Sequence, residues 1–553
     1  MASDTRPQRL ESFHAHPDTY RHWKLQIEGR IATLLLDVQE DRGLRPDDYV
    51  LKQNSYDLGV DIELADAIQR LRFEHPEVRV VVFTSAQPKV FCAGANIRML
   101  ATSTHAFKVN FCRYTNETRC SLEDASIHSD LKSLAALNGT AAGGGYELAL
   151  ACDEIYLIED GSSAVSLPEV PLLGVLPGTG GLTRLVDKRR VRGDIADVFC
   201  TKAEGFRAKE SLKLGLIDGS FPRSRWSEGV DARAAALAEG GADGLVGIEL
   251  SEVTSEVSPD GCVRSYRHVQ LRLDAEHRLA YVTIHAPDQP APASTDALQQ
   301  EGSSTWSLAA FRELDDALVH LRFNHPTVGT ILIQTRGDAA RILEHDALIL
   351  EHQDHWLARE IRLLQARVFR RLDNTARSMF AIIDEGSCFA GSLFELTLAA
   401  DRSYMLEDED AAVTVQITGA SGGAYPMSTG LSRLAARFLH DPDQVATALA
   451  QTEPIDAPRA LELGLVTFAP DDIDWEDEIR IAIEERASLS PDALTGMEQN
   501  LRFVGAETCD SKIFGRLSAW QNWIFQRPNA VGDEGALTLY GHPTRPSFDW
   551  KRT

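Results

Sequence analysis

The chain has 553 residues, more than one ordinary domain holds, and its 43% hydrophobic and 25% charged residues are soluble globular usage. Lys and Arg number 56 against 82 Asp and Glu, a formal net charge of −26, so the surface repels phosphate backbones and anionic lipid; neither a nucleic-acid nor a membrane partner is expected. No apolar run approaches the ~18–20 residues that span a bilayer, the start has no secretory pattern, and the eight cysteines form no close pair, so a reducing, cytoplasmic setting is expected.

Residues 1–19 read as a polar arm. After them, β-branched runs alternate with amphipathic segments. "IATLLLDV" from Ile31 and "RVVVFTSA" from Arg79 predict strands, and "DIELADAIQRLRF" from Asp61 predicts a helix between them. A glycine-rich turn, "FCAGANIRML" from Phe91, then leads into helical sequence. "SLAALNGT" from Ser133 predicts another strand, and "NGTAAGGGYELAL" from Asn138 a second glycine-rich turn that opens a helix. "EIYLIED" from Glu154 and "SAVSLP" from Ser163 predict strands, followed by Glu169 and a third glycine-rich stretch, "VPLLGVLPGTGG". Strand–helix alternation of this kind implies an α/β fold with parallel pairing.

The pattern then repeats. "ELADAIQRLRFEHPEVRVVVFTS" from Glu63 matches "ELDDALVHLRFNHPTVGTILIQT" from Glu313, an offset of 250 residues. "GGGYELALACDEIYLIED" from Gly143 matches "GSLFELTLAADRSYMLED" from Gly391 at 248, and "AKESLKLGLID" from Ala208 matches "APRALELGLVT" from Ala457 at 249. Collinear matches at near-constant offset indicate a duplicated domain. The expected boundaries are a first copy over 20–250, a polar linker over 251–268, a second copy over 269–491, and a helical segment and tail over 492–553.

Glycine lets a backbone approach a ligand closely, and a helix N-terminus offers unpaired N–H groups. Two such turns facing each other would aim two N–H donors at one developing negative oxygen, as an oxyanion hole does. Glu147 lies one turn past the second glycine cluster and Glu169 follows 22 residues later; two carboxylates at one concave site suit general acid–base work. The plainer alternatives are tight strand-to-helix turns without a ligand and a carboxylate paired with a helix dipole. "GTAAGGG" lacks dinucleotide-fingerprint spacing. His345, His352 and His355 read as a solvated helix, and no metal is expected.

"FCAGANIRML", "NGTAAGGGYELALACD" and "PEVPLLGVLPGTGGLTRL", in this order and spacing, resemble the crotonase (enoyl-CoA hydratase/isomerase) superfamily. The resemblance implies tandem crotonase-like ββα spiral domains that bind an acyl-CoA and hold its thioester oxygen as an enolate. The donors implied are the N–H groups of Ala95 and Gly144, beside Gly94. Glu147 and Glu169 fall at the glutamate pair of water-adding members, and Gly178 at the turn seating the reacting water. Asn96 stands where Asp is common, a departure expected to touch loop hydrogen bonding more than chemistry. Cys112 falls among substrate-lining positions. Lys52 and Arg45 fall where CoA phosphates are contacted, with solvated surface charge as the alternative. No cofactor is implied beyond the coenzyme A thioester, which is the substrate.

"LKQNSYDLGVDIELADAIQRLRFEHP" from Leu51, "VNFCRYTNETR" from Val109 and "FGRLSAWQNWIFQRPNAVG" from Phe514 resemble a narrower family of ring-opening carbon–carbon lyases. These act on an oxygenated, dearomatised benzoyl-CoA, written as the 2,3-dihydrodiol or the 2,3-epoxide, and release formate and 3,4-didehydroadipyl-CoA semialdehyde. An enoyl-CoA hydratase and a non-catalytic CoA-ester-binding scaffold are the rival readings. The second copy keeps Glu395 at the place of Glu147, but Gly391-Ser392-Leu393 replaces the glycines and Ile417 replaces Glu169. With no "AGAN" and no paired carboxylate it is expected to be a structural partner rather than a catalyst, standing in for a second subunit; a homodimer is the other candidate assembly.

Overall fold

A computed structural model describes residues 10–241, 244–408 and 410–553. They divide into two compact units, Phe13–Leu250 and Ser251–Thr553, the latter together with the N-terminal residues through Ser12.

The first unit opens with an antiparallel hairpin, β1 (Trp23–Glu28) and β2 (Ile31–Leu36); β2 alternates between half-exposed and buried residues, and β1 is buried only at Trp23. Helix α1 (Leu58–Phe73) follows; the Asp57 carboxylate accepts the N–H groups of Gly59 and Val60 and so starts it. The chain then alternates between two sheets. β3 (Val80–Ser85), β5 (Lys132–Leu137), β7 (Glu154–Glu159) and β10 (Gly219–Pro222) extend the large sheet in parallel, in the order β1-β2-β3-β5-β7-β10. β4 (Val90–Cys92), β6 (Thr140–Ala142), β8 (Ala164–Ser166) and β9 (Phe206–Arg207) make a small second sheet. β3 and β5 are almost wholly buried, which is why they read as continuous apolar runs rather than alternating ones. From the small sheet the chain enters α2 (Ile97–Thr102) and α3 (His105–His128) after β4, α4 (Gly144–Ala151) after β6, and a single wide turn, Glu169–Leu173, after β8. This is the repeated ββα spiral, and it places three strand-to-helix turns side by side.

The second unit has one seven-stranded sheet: β11 (Glu256–Val257), β12 (Val263–Ser265), β13 (Val269–Asp274), β14 (Leu279–His285), β15 (Thr330–Arg336), β16 (Ser378–Ile383) and β17 (Arg402–Met405). β13 to β17 repeat the hairpin-then-parallel plan of the first unit. The small sheet is reduced to isolated bridges, Ala390 with Gln416 and Val415 with Ile455. Two expected boundaries differ. Residues 251–268, expected as a linker, carry β11 and β12: Pro259-Asp260-Gly261 closes a hairpin, with Gly261 at φ +73°, rather than a tether. Residues 492–553, expected as a separate segment, belong to this unit. Arg502 donates to Asp401 and to the Thr375 and Arg377 carbonyls, tying the helix Pro491–Arg502 to the strand edge.

Candidate active site

The two glycine-rich turns of the first unit meet. Gly94 has φ +89°, and a Cβ there would stand 2.8 Å from the Gly144 nitrogen and 2.9 Å from the Ala142 carbonyl oxygen. Only glycine fits so close an approach. By covalent geometry the Ala95 and Gly144 nitrogens are then no more than roughly 6.5 Å apart. Both N–H groups lack a protein acceptor among the described residues. Gly144 opens α4, where the first N–H groups have no intrahelical partner, and Ala95 sits in a bridge whose bonds are made by its neighbours: Tyr56 N–H to Gly94 and Asn96 N–H to Tyr56. The Asn96 amide also donates to the Val50 carbonyl at 2.8 Å, and its oxygen caps α2 at Met99. An Asp could not make the first of these bonds, which gives the departure at this position a reason in the loop.

The carboxylates differ in character. Glu147, 2% exposed, accepts N–H bonds from Thr179 at 3.0 Å and Gly181 at 2.8 Å, and the Thr179 hydroxyl also donates to it. It is the anchor of the turn that contains Gly178, whose carbonyl takes the Asn116 amide at 3.1 Å. Glu169 starts the turn after β8. Its Oε1 would lie 2.7 Å from a Cβ on Gly143, so it faces the oxyanion turn, and its Oε2 is buried without a partner. Burial, with the Glu147 charge adding to it, pushes the Glu169 carboxyl up to about 7. Beyond Glu169 the chain exposes Leu172, Val175 and Leu176, an apolar strip at the same turn.

Arg119, on the buried face of α3, ties these parts together and was not singled out by the sequence. Its guanidinium donates to the Gly144 carbonyl at 2.8 Å, the Thr179 carbonyl at 3.0 Å and the Tyr56 hydroxyl at 3.0 Å, and lies 3.9 Å from Glu147. Asp61, fully buried and pushed up to about 6 by desolvation, accepts the Thr115 hydroxyl one turn away on α3. The signal for Arg119 was available: it stands in the helical stripe Phe111, Tyr114, Thr115, Thr118, Leu122, and a cation in an apolar stripe must have partners. Cys112 is half-buried on the same helix, and burial pushes its thiol up to about 11, so it is not a thiolate near neutral pH. Arg45 and Lys52 are exposed; the Arg45 guanidinium lies 4.9 Å over the Phe107 ring.

The second unit preserves the turn and fills it. Gly391, like Gly143, has φ +52°, and its N–H bonds to Gln416 at 3.0 Å as that of Gly143 bonds to Ser166 at 2.9 Å. The sequence offered no partner carboxylate here, yet Asp346 supplies one from the helix Ala339–Glu351, 2.2 Å from where a Gly391 Cβ would stand. Asp346 also accepts the N–H of Ser392, the residue matching Gly144, at 2.5 Å. Glu395 is held by Arg433 at 3.4 Å. His345 is buried against Trp306, and among the described residues no three His, Cys, Asp or Glu side chains are grouped to hold a metal ion. No helix of these residues is long and apolar enough to cross a membrane.

Residues 51–252 match the enoyl-CoA hydratase/isomerase family. A benzoyl-CoA-dihydrodiol lyase from Aromatoleum evansii is 53% identical over 546 residues, 98% of each chain. Among solved structures, an enoyl-CoA hydratase from Geobacillus kaustophilus HTA426 is 34% identical over 40% of this chain and 76% of its own, with a TM-score of 0.35. One from Bacillus anthracis is 27% identical over 40% and 78%, with a TM-score of 0.34. The chain therefore belongs to the crotonase superfamily, within the family of the benzoyl-CoA-dihydrodiol lyase.

Proposed function

We propose that the chain is a ring-opening lyase acting on an oxygenated, dearomatised benzoyl-CoA to release formate and 3,4-didehydroadipyl-CoA semialdehyde. The near-full-length identity to the Aromatoleum lyase supports the substrate class. The observation that carries the chemistry is the pair of unpartnered N–H groups at Ala95 and Gly144 beside the unpartnered Glu169 carboxyl.

A carbon–carbon bond adjacent to a thioester breaks readily only when its electrons have a sink. With the thioester oxygen between the two N–H donors, the carbonyl becomes that sink and the product is an enolate. Water adds to a ring-derived aldehyde carbon, the C–C bond breaks into the enolate, the former aldehyde carbon leaves as formate, and a proton returns to carbon. Glu169 is the proton carrier in this reading: a carboxyl pushed up to about 7 gives and takes a proton near neutral pH. Glu147 holds the Thr179–Gly181 turn against which the water sits. Cys112, Gly178 and Gly94 line the site, and Lys52 and Arg45 meet the CoA phosphates from the surface.

Incubation with the dihydrodiol, the epoxide and crotonyl-CoA, with formate and hydration both assayed, tests the reading. Formate from an oxygenated benzoyl-CoA is expected, with Glu169→Gln at least 10³-fold slower and still folded. Hydration of crotonyl-CoA without formate from either benzoyl ester replaces the proposal with a hydratase; binding without turnover leaves only a scaffold.

A further inference from the structure

At the amino ends of β14 and β15, the edge of the second sheet opposite the Gly391 turn, lies a small, partly open pocket lined by Arg278, Arg486, Arg552 and Trp550. Nothing in the proposed reaction uses it. Arg278 is half-buried. Its guanidinium stacks 3.8 Å over the Trp550 ring and donates to the Ala487 carbonyl at 2.5 Å, and it meets no carboxylate among the described residues. Arg486, 5% exposed, reaches Glu498 at 3.3 Å through Nη1, while its Nε–H is buried without an acceptor. Arg552, 2% exposed, donates to Glu498 at 2.6 Å and to the Gly329 carbonyl at 3.2 Å.

The charges do not balance. Glu498 serves Arg486 and Arg552 and lies 3.9 Å from Arg502, whose own partner is Asp401 at 2.6 Å. Four guanidiniums, of Arg278, Arg486, Arg502 and Arg552, thus share two carboxylates, a local surplus of two positive charges in a chain of net charge −26. Arg402, beside Arg486, adds to the surplus. Burial pushes Arg278, Arg486 and Arg552 below their ordinary value, as it does for cations short of counter-charge. A buried cation without a partner is costly, so the arrangement calls for an anion.

We propose that this pocket binds a phosphate group, its oxygens taken by the Arg486 Nε–H and the free N–H groups of Arg278. Guanidinium forks match tetrahedral oxyanions in geometry and charge. The half-exposed Trp550 and exposed Leu489 leave one side open, so either free phosphate or the phosphate of a larger monoester fits. The proposal is independent of the lyase reading, because its readout is binding.

The test titrates the full chain with potassium phosphate and, separately, with adenosine monophosphate, against potassium chloride at equal ionic strength, followed by thermal shift and calorimetry. Saturable stabilisation by phosphate beyond chloride is expected. Arg278→Gln should raise the midpoint at least tenfold. Arg486→Lys, which keeps the charge on Glu498 and deletes the Nε–H, should do the same should Arg278→Gln fold poorly. Tighter binding of the monophosphate assigns the site to a phosphate ester, and tighter binding of inorganic phosphate to the free ion. No saturable effect beyond chloride, or an unchanged midpoint in both variants, overturns the proposal.

Discussion

The two units carry the same turn in opposite states. In the first, Gly143 has a glutamate against it and the next N–H, that of Gly144, is open; in the second, Gly391 has an aspartate against it and the next N–H, that of Ser392, is closed by the same aspartate. The backbone has barely changed: both glycines sit at φ +52°, and both N–H groups bond to the following strand segment within 0.1 Å of one distance. The second glycine turn is therefore kept with its donor occupied, while the first glycine turn has no counterpart there, the helix Ala339–Glu351 standing in its place. The two carboxylates differ in effect because they arrive from different directions. Glu169 comes from the strand after the turn and leaves the donor free, while Asp346 comes from a helix before it and ends on the donor.

The sharpest way to break the comparison is at the cation behind each turn. Arg119 serves three acceptors of the first turn, and Arg433 serves Glu395, Asp373 and the Tyr425 carbonyl behind the second. Arg119→Met strands buried acceptors and leaves Glu147 without its nearest cation. We expect formate release to fall by about 10²–10³-fold, with a loss of roughly 3–5 kcal/mol in denaturant unfolding. Arg433→Met should cost similar stability and leave kcat per folded molecule unchanged. Equal losses of kcat would show that the second turn contributes to the reaction.

The matched glutamates come next. Glu147→Gln keeps an oxygen for the Thr179 and Gly181 N–H groups but removes the charge and the second oxygen that accepts the Thr179 hydroxyl, loosening the turn; a fall of at least about 10²-fold in kcat is expected, near the cost of removing one preorganised contact. Glu395→Gln should change kcat by less than twofold. Parallel assays of both variants, normalised to folded protein, check the contrast.

What the sequence made legible follows from range. The β-branched runs and the glycine turns were readable because a strand, a positive φ and a helix start each write their requirement into a few adjacent residues, whereas the pairing of Ala95 with Gly144 came from the family resemblance. Glu169 was readable by its place after a strand. Arg119 was passed over, because a lone cation on a helix reads as solvent-facing unless it is set against the stripe of Phe111, Tyr114 and Leu122 that it continues. The anchoring of Glu147 by Thr179 and Gly181 was hidden across 32 and 34 residues. The partner of Glu395 was sought at Ile417, the aligned position, and came instead from Asp346, which no alignment of the two copies points to because its helix replaces the first glycine turn.

The carboxyls against the two glycines also share an electrostatic signature, and pH separates their roles. Burial pushes Asp346 from 3.8 to about 7, and Glu169 from 4.5 to about 7. A carboxyl raised on folding binds more protons folded than unfolded, so each contributes stability that is full below its ordinary value and lost as pH rises through about 7. Asp346→Asn keeps an acceptor for the Ser392 N–H and removes the ionisation. Relative to wild type it should gain on the order of 2–4 kcal/mol at pH 8 and little at pH 4, with kcat/KM unchanged. Glu169→Gln should flatten stability in the same sense while abolishing the fall of kcat/KM above about pH 7 that a general acid with this value produces. Denaturation midpoints from pH 4 to 8 check the first, and a pH–rate profile the second.

The smallest expected difference lies at the surface. Lys52 begins the short turn ahead of α1, while the stretch ahead of the matching helix Trp306–Asn324 reads Gly302-Ser303-Ser304 and has no cation. If Lys52 meets a CoA phosphate, it does so as an exposed point charge in water, where one ion pair is worth at most about 1 kcal/mol. Lys52→Ala should therefore raise KM for the CoA ester by roughly two- to fivefold and leave kcat alone, and the difference should shrink as salt rises, because exposed charges are screened beyond ~8 Å at physiological ionic strength. A KM unaffected by the substitution at low salt would return Lys52 to the solvated surface and remove the one contrast between the units that depends on charge alone.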